Sequence, residues 1–267
     1  MKKLFTLTAA LGVMFWMSLP AQAHFQTLYT PESALNKGEE LNFKLVFTHP
    51  FDAGHTMDME KPLEFFAVHK GEKTDLTDDL QPITWQSLDN SGRAYEASHA
   101  LRGMGDWVFA LTPAPYFEEK EDAYIQQLTK AIVNVQGLPT DWDSELGMKA
   151  EIVPLDKPYA LWTGNVFRGV VKSEGKPVPH AEIEVEYLNH EPLMDKNAFA
   201  EEPQAEAPQS AFVTQTIKAN EHGEFTYGVP EEGWWGFCAL GVGPDKEYKD
   251  KELSQDAVIW VQARDME

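Results

Sequence analysis

Three of the eight histidines in this chain, His24, His49 and His55, fall within a short stretch near its beginning. His24 directly follows a segment with the features of a signal peptide, so we expect it to become the first residue after cleavage. A free amino-terminal histidine offers its α-amine and its imidazole Nδ1 to one metal ion. This chelate predicts a metal site at His24.

Residues 1–23 contain the three parts of a secretory signal peptide. Lys2 and Lys3 are positively charged, 4–19 is apolar except for three hydroxyl residues, and the segment ends in Ala-Gln-Ala, a small-x-small cleavage pattern. An apolar run of this length could also anchor a protein, which takes about 20 residues. The small residues favour cleavage before His24, and no second apolar run follows. We expect a periplasmic protein that is not inserted in the membrane after cleavage.

The composition agrees with an exported protein. The net charge of −21 becomes −23 when Lys2 and Lys3 are removed. Such a surface repels nucleic acid and anionic lipid, and it raises the local concentration of cations. The single cysteine, Cys238, excludes an internal disulfide, and its apolar neighbours predict a buried, unreactive thiol. We expect no nucleic-acid partner, and nothing in the sequence requires a dimer.

The second histidine, His49, falls at the end of a predicted strand. Odd-numbered positions in 41–48 are apolar up to Phe47, so one face of this strand belongs to a core and the other is largely polar. His49 continues the core-facing side. Pro50 then ends the strand, because it cannot donate a backbone hydrogen bond.

His55 follows His49 by six residues, on a loop that we expect Gly54 to turn. Two imidazoles at this spacing can converge on one ion, although the spacing is not a strict metal signature. Met57 and Met59 offer thioether sulfurs nearby and are secondary candidates. The alternative is a loop whose histidines face water.

The three histidines together would supply one amine and three imidazoles. Nitrogen donors suit Ni(II), Co(II), Cu(II) and Zn(II), and affinity alone favours copper. The amino-terminal copper and nickel motif with histidine at the third position is absent, because Gln26 stands there. Since α-amines titrate at about 7.7 to 8.0 and imidazoles near 6.5, binding is expected to weaken as the pH falls below about 7.

Two other features are weaker candidates. His99 shares a predicted strand face with Tyr95 and Leu101, which indicates a core histidine or a residue supporting the site. The acidic run 118–122 could supply an oxygen ligand, but a solvated helix start is the better interpretation. Nucleotide-binding glycine loops and catalytic serine motifs are absent from the sequence, so we do not expect an enzyme.

Short strands separated by turns predict an all-β fold of two β-sandwich domains, immunoglobulin-like or transthyretin-like. Two prolines near 151–158 mark a link, giving domains 24–155 and 156–267. Within the second domain, 190–210 is rich in Ala, Glu, Pro and Gln and predicts an acidic, mobile surface loop. The segment 118–135 predicts a short helix followed by a strand.

Several segments together resemble one exported family. They are His24, the loop from His49 to Phe51 with Gly54, and the segments 57–62, 151–155 and 162–167. This family is described as the periplasmic component of nickel and cobalt uptake systems and was formerly a domain of unknown function. The second half, through 175–179 and 233–237, is similar to transthyretin-like or carboxypeptidase-regulatory-like modules.

The resemblance implies capture of Ni(II) or Co(II) in the periplasm and delivery to a membrane transporter of the energy-coupling-factor type. It extends most directly to His24 and His49, and then to His55. Two alternatives remain open from the residues. One is a copper-binding protein or copper oxygenase in which His24 forms a histidine brace; the other is a metal-free module that docks a protein or a glycan.

Overall fold

The computed structural model describes residues 24–266, which form strands with almost no helix. The predicted signal peptide, residues 1–23, lies outside the described residues. Within 24–266 no helix is long and apolar enough to span a bilayer.

The strands are numbered along the chain. The first eleven are β1 (Phe25–Tyr29), β2 (Ala34–Leu35), β3 (Glu40–Thr48), β4 (Thr56–Met57), β5 (Glu64–His69), β6 (Glu72–Asp75), β7 (Gln81–Gln86), β8 (Ser91–Ala100), β9 (Gly105–Thr112), β10 (Tyr116–Glu118) and β11 (Ala123–Val135). The others are β12 (Ala150–Pro154), β13 (Leu161–Trp162), β14 (Val166–Ser173), β15 (Lys176–Pro177), β16 (Glu182–Tyr187), β17 (His190–Leu193), β18 (Ala198–Pro203), β19 (Gln215–Lys218), β20 (Glu224–Gly228), β21 (Gly233–Ala239), β22 (Glu247–Tyr248) and β23 (Lys251–Arg264). Two short 3-10 helices span Thr77–Asp79 and Ser210–Phe212.

The strands form three main sheets, and the predicted all-β sandwich fold is confirmed. The largest has the order β19-β16-β21-β23-β11-β9-β5-β6. A second has the order β1-β3-β8-β7-β18-β17 with β4 on β3, and the third is β12-β14-β15 with β20 on β14. The largest sheet contains strands from both halves of the chain, because β11 and β23 pair in parallel. The division into domains at 155 and 156 stays a prediction.

The largest sheet is the middle layer, and the other two sheets pack on its two faces. Along β23, Val258 and Trp260 belong to the core shared with Phe25 and the β1 sheet. Ile259, between them, belongs to the core shared with Phe167 and the β14 sheet. Successive side chains of a strand point to opposite faces, so both faces of the middle sheet are buried.

The predicted helix at the start of 118–135 is wrong. This segment contains the end of β10 and the whole of β11, and every residue of 125–135 is buried. Because β11 lies in the middle layer, apolar residues are needed on both of its faces. The apolar residues then do not alternate with polar ones at every second position, so their spacing does not distinguish a strand from a helix.

The segment 190–210 also differs from the expected loop, because its first part forms the hairpin of β17 and β18. Phe199 of this hairpin packs edge to face on Trp85, with ring centroids 5.1 Å apart. Asn197, in the hairpin turn, accepts a hydrogen bond from Lys44 Nζ at 2.5 Å. The hairpin therefore covers part of the even-numbered face of β3, around Lys44, which the sequence predicted to be largely polar.

Candidate metal centre

Strands β1, β3 and β4 lie side by side, with β3 in the middle. The last residues paired across them are Phe25 of β1, Thr48 of β3 and Thr56 of β4. One residue beyond these partners come His24, His49 and His55, which we call the histidine row. Directly opposed residues of antiparallel strands are about 4.5–5.5 Å apart and point to the same face. The strand register therefore brings the three predicted ligands together at one end of the sheet.

The rings of the histidine row are direct neighbours. The centroids of His24 and His49 are 4.7 Å apart, and those of His49 and His55 are 6.4 Å apart, both edge to face. Phe47 lies under the row, with its ring centroid 5.7 Å from that of His24. Within residues 24–266, no group of three or more His, Cys, Asp and Glu side chains is already arranged to hold an ion. The imidazoles are thus adjacent, but they do not surround a common position for a metal ion.

The loop between His49 and His55 turns in a way that the sequence predicted only in part. Ala53, and not Gly54, has the left-handed conformation, with φ of 48°. The backbone N–H groups of Leu88 and Asp89 donate to the carbonyl oxygens of Ala53 and Gly54 at 2.8 and 2.9 Å. These hydrogen bonds hold the loop that carries His55.

Glu118 is a partner of His24 that the sequence interpretation missed. Its Oε2 lies 3.2 Å from Nε2 of His24, and its side chain is largely buried at the end of β10 rather than solvated at a helix start. A carboxylate accepts hydrogen bonds, so Nε2 of His24 carries the proton. Nδ1 then keeps its lone pair, on the nitrogen needed for a chelate with the α-amine. The acidic run 118–122 was the only sequence signal for this partner.

Gln127 of β11 links the start of β1 to the middle sheet by hydrogen bonds. Its Nε2 donates to the carbonyl oxygen of His24 at 2.7 Å, and its Oε1 accepts from the backbone N–H of Gln26 at 2.7 Å. Nε1 of Trp260 donates to the Gln26 carbonyl at 2.9 Å. These bonds fix the backbone position of His24. The available signal in the sequence was the pair of adjacent glutamines, Gln126 and Gln127, between Ile125 and Leu128.

Burial keeps two imidazoles of the row, those of His24 and His49, uncharged. It lowers the pKa of His49 to about 4, helped by repulsion from His24, His55 and Lys120. Burial also lowers the pKa of His24, and the negative charge of Glu118 opposes that shift in part. At neutral pH both rings are therefore neutral, which is the form that binds a transition metal.

A cleft with a volume of about 610 Å³ opens beside the row. His55 and Phe47 belong to its lining. Met57 and Met59 also line it, although both are almost fully buried, and Sδ of Met59 accepts a hydrogen bond from the Gln26 amide at 3.7 Å. The thioethers predicted as secondary candidates therefore lie next to the row.

His99, the third secondary candidate, is at the other end of β3. It is paired with Leu41, near the start of that strand, whereas His49 follows its end. The separation along the strand is about 25 Å at about 3.3 Å per residue. The ring of His99 contacts Trp107 and Phe109, with centroids 5.2 and 6.2 Å apart. The structure does not bring His99 to the histidine row.

Cys238 is fully buried, as predicted. Burial raises the pKa of its thiol, and the neighbouring Asp256 and Glu184 carboxylates raise it further. Its Sγ lies 3.3 Å from Nε2 of Gln127 and 3.9 Å from Oδ2 of Asp256. The thiol stays protonated at neutral pH, and the thiolate is the form that binds metal.

The chain resembles several solved structures at low identity. The D0-D1 domain of intimin is 12% identical, with 87% of this chain and 96% of that chain covered and a TM-score of 0.22. The Yersinia pseudotuberculosis adhesin InvE is 10% identical, with 88% and 58% covered and a TM-score of 0.24. Such distant likenesses support no inference about function. No curated protein matches the chain.

One family model matches residues 21–243, which is most of the chain. Its description is Domain of unknown function (DUF4198). The match includes the whole histidine row, Glu118 and Gln127. The chain therefore belongs to the DUF4198 family.

Proposed function

We propose that the protein captures Ni(II) or Co(II) in the periplasm and passes the ion to a membrane uptake transporter of the energy-coupling-factor type. The observation that carries this proposal is the register of β1, β3 and β4, which aligns His24, His49 and His55 at one end of the sheet. The metal is cargo here, and the protein performs no reaction on it.

Cleavage before His24 would free its α-amine, which binds the ion together with Nδ1 of the same residue. Glu118 would hold the proton on Nε2 and orient the ring, as carboxylates do for many metal-bound histidines. His49, at 4.7 Å between ring centroids, is the nearest second imidazole, and His55 is the next. The donors are nitrogens, which suit Ni(II) and Co(II).

Release would follow from proton competition or from docking to the transporter. The α-amine titrates at about 7.7 to 8.0, so it is the first donor that protons remove as the pH falls. The ring of His49 takes up no proton in this pH range, because its pKa is about 4. We expect affinity to fall below pH 7 mainly through the amine and the ring of His24.

The test is calorimetric titration with Ni(II) of two preparations, one beginning at His24 and one retaining Ala23. Because Ala23 converts the amine into an amide, the longer protein is expected to bind Ni(II) at least about 100-fold more weakly. The processed protein is also expected to release protons on binding, which titrations in buffers of different ionisation enthalpy measure.

The matched control is His222→Ala in the processed protein. The His222 side chain is 70% exposed in a turn and lies outside the row, so its removal is expected to leave Ni(II) affinity unchanged. Equal Ni(II) affinity with and without Ala23 would show that the amino terminus is irrelevant. That result would overturn the proposed function.

A further inference from the structure

We infer that the ion is bound together with a small organic chelator, neutral or cationic and bearing a flat heteroaromatic ring, which lies in the cleft beside the histidine row. This inference rests on the proposed function, because the ion in the row would hold the donor atoms of the chelator. It names the form in which the metal is captured.

The size of the cleft is the first argument. Its volume of about 610 Å³ is within the range of about 300–1,000 Å³ that is usual for pockets holding small organic molecules. A water molecule occupies about 30 Å³, so an ion with a few waters would fill a small part of it. His55 belongs both to the row and to the lining of the cleft. A molecule in the cleft is therefore adjacent to an ion that His55 binds.

The lining of the cleft is the second argument. Two aromatic pairs contribute to it: Phe47 with Tyr116, at 5.4 Å between centroids, and Phe117 with Tyr124, at 5.0 Å. Aromatic side chains favour flat rings, which stack on them or meet them edge to face. Met57, which is almost fully buried, also belongs to the lining.

The charge of the cleft is the third argument. Three carboxylates line it, those of Asp58, Glu60 and Glu119, against one ammonium group, that of Lys249. Glu60 is paired with Arg93 at 2.8 Å, which leaves the cleft with more negative than positive charge. The protein as a whole is also strongly acidic. A chelate with several free carboxylates would be repelled, whereas a neutral or cationic chelate would not.

The experiment is equilibrium dialysis of the processed full chain with Ni(II) and labelled L-histidine, an amino acid with an imidazole ring. We expect nickel and histidine to be retained together, and histidine to be lost when nickel is omitted. Glycine, which chelates nickel without a ring, is expected to be retained about three- to tenfold less, because it lacks the aromatic contact.

Two variants separate the cleft from the row. Ala114→Trp places a large side chain in the cleft, since the half-buried Ala114 lines it. We expect at least about a tenfold loss of retained histidine and unchanged binding of nickel alone. Tyr116→Ala removes one aromatic contact without adding bulk, and is expected to lower histidine retention about three- to tenfold. Tyr116→Ala serves as the test if Ala114→Trp unfolds at a markedly lower temperature than the wild-type protein.

The outcomes are distinct. Histidine that strips nickel from the wild-type protein, instead of being retained with it, overturns the inference and leaves the proposed function in place. Equal retention of histidine by wild type and both variants also overturns it, because the cleft would not be the site. No retention of nickel under any condition overturns the proposed function and the inference together.

Discussion

The two ends of β3 carry two groups of histidines in different surroundings. At its end lies the histidine row, where imidazoles touch each other and the Glu118 carboxylate beside an open cleft. Near its start lies a group that we call the Trp107 cluster, consisting of His69, His99 and Trp107. There His69 lies flat on the indole at 4.1 Å, and its Nδ1 is hydrogen-bonded to the Asp106 carbonyl oxygen at 2.8 Å.

Burial does not distinguish the two groups, because His24, His69 and His99 are all intermediate in exposure. Within the histidine row itself, His49 is buried and His55 is exposed. The neighbours distinguish them. In the Trp107 cluster the imidazoles act as flat side chains that pack on an aromatic ring. In the histidine row a carboxylate orients one ring and the others lie beside it. What makes a histidine a candidate metal ligand here is therefore the set of groups that contact its ring, and not the extent of its burial.

The largest expected difference between the two groups is in metal affinity. His49→Phe keeps a ring of similar size and removes a nitrogen donor from the row, so Ni(II) affinity is expected to fall more than about 100-fold. His99→Phe makes the same change in the Trp107 cluster and is expected to alter affinity less than about twofold. Calorimetry on the processed protein measures both. Equal losses in the two variants would contradict the distinction between the groups.

The second difference concerns the pH dependence of stability without metal. The pKa of His49 is lowered to about 4 in the folded protein, against about 6.5 when unfolded. Between these values the unfolded chain binds more protons, so the free energy of unfolding falls as the pH drops from 6.5 to 4. The charges facing His49 are those of His24, His55 and Lys120.

Replacing His49 by Phe removes this contribution. Urea unfolding at pH 7 and pH 4.5 is expected to show a smaller loss of stability in His49→Phe than in wild type, by about 2 kcal/mol. The exposed His222 provides the control, since His222→Phe leaves the loss as in wild type. A parallel pH dependence in wild type and His49→Phe would mean that His49 is not held neutral.

The third difference tests the partner of His24. Glu118→Gln keeps the shape of the side chain and removes its charge, so the ring of His24 is less firmly oriented and less basic. We expect Ni(II) affinity to fall about tenfold. Glu119→Gln removes the same charge from the exposed neighbouring residue. It therefore distinguishes the effect of the Glu118–His24 hydrogen bond from the effect of negative charge near the site. If both variants lose Ni(II) affinity equally, Glu118 acts only through its negative charge and does not orient the ring of His24.

The sequence predicted the features of the site that depend on local pattern. Alternation in 41–48 predicted that His49 follows the core-facing side of a strand, and Phe47 on that side is buried. The all-β sandwich fold followed from the short strands and turns. The grouping of His24 with His49 required only that the first strand lie beside β3, which it does.

The features that the sequence did not predict depend on distant pairing. Glu118 reaches His24 only because β10 pairs with β11, and the position of β11 in the middle layer hides its strand period. Gln127 binds the His24 carbonyl from a strand more than a hundred residues away. The position of His99 beside the start of β3 depends on the register between β8 and β3. The local sequence does not specify that register.

The smallest expected effects are within the Trp107 cluster. Nε2 of His99 is buried and has no hydrogen-bond partner among the described residues. Burial also lowers the pKa of His99, so the ring is neutral. His99→Phe removes an unpaired polar atom and keeps the ring, and stability is expected to stay the same or rise by up to about 1 kcal/mol.

The matched change is His69→Phe, which removes the hydrogen bond from Nδ1 to the Asp106 carbonyl. It is expected to lower the free energy of unfolding by about 1 kcal/mol, because the stacking on Trp107 is retained while one bond is lost. Urea unfolding at pH 7 measures both variants. A loss above about 2 kcal/mol in His99→Phe would mean that Nε2 holds a buried water or ion, and the Trp107 cluster would then be a polar site rather than a packing contact.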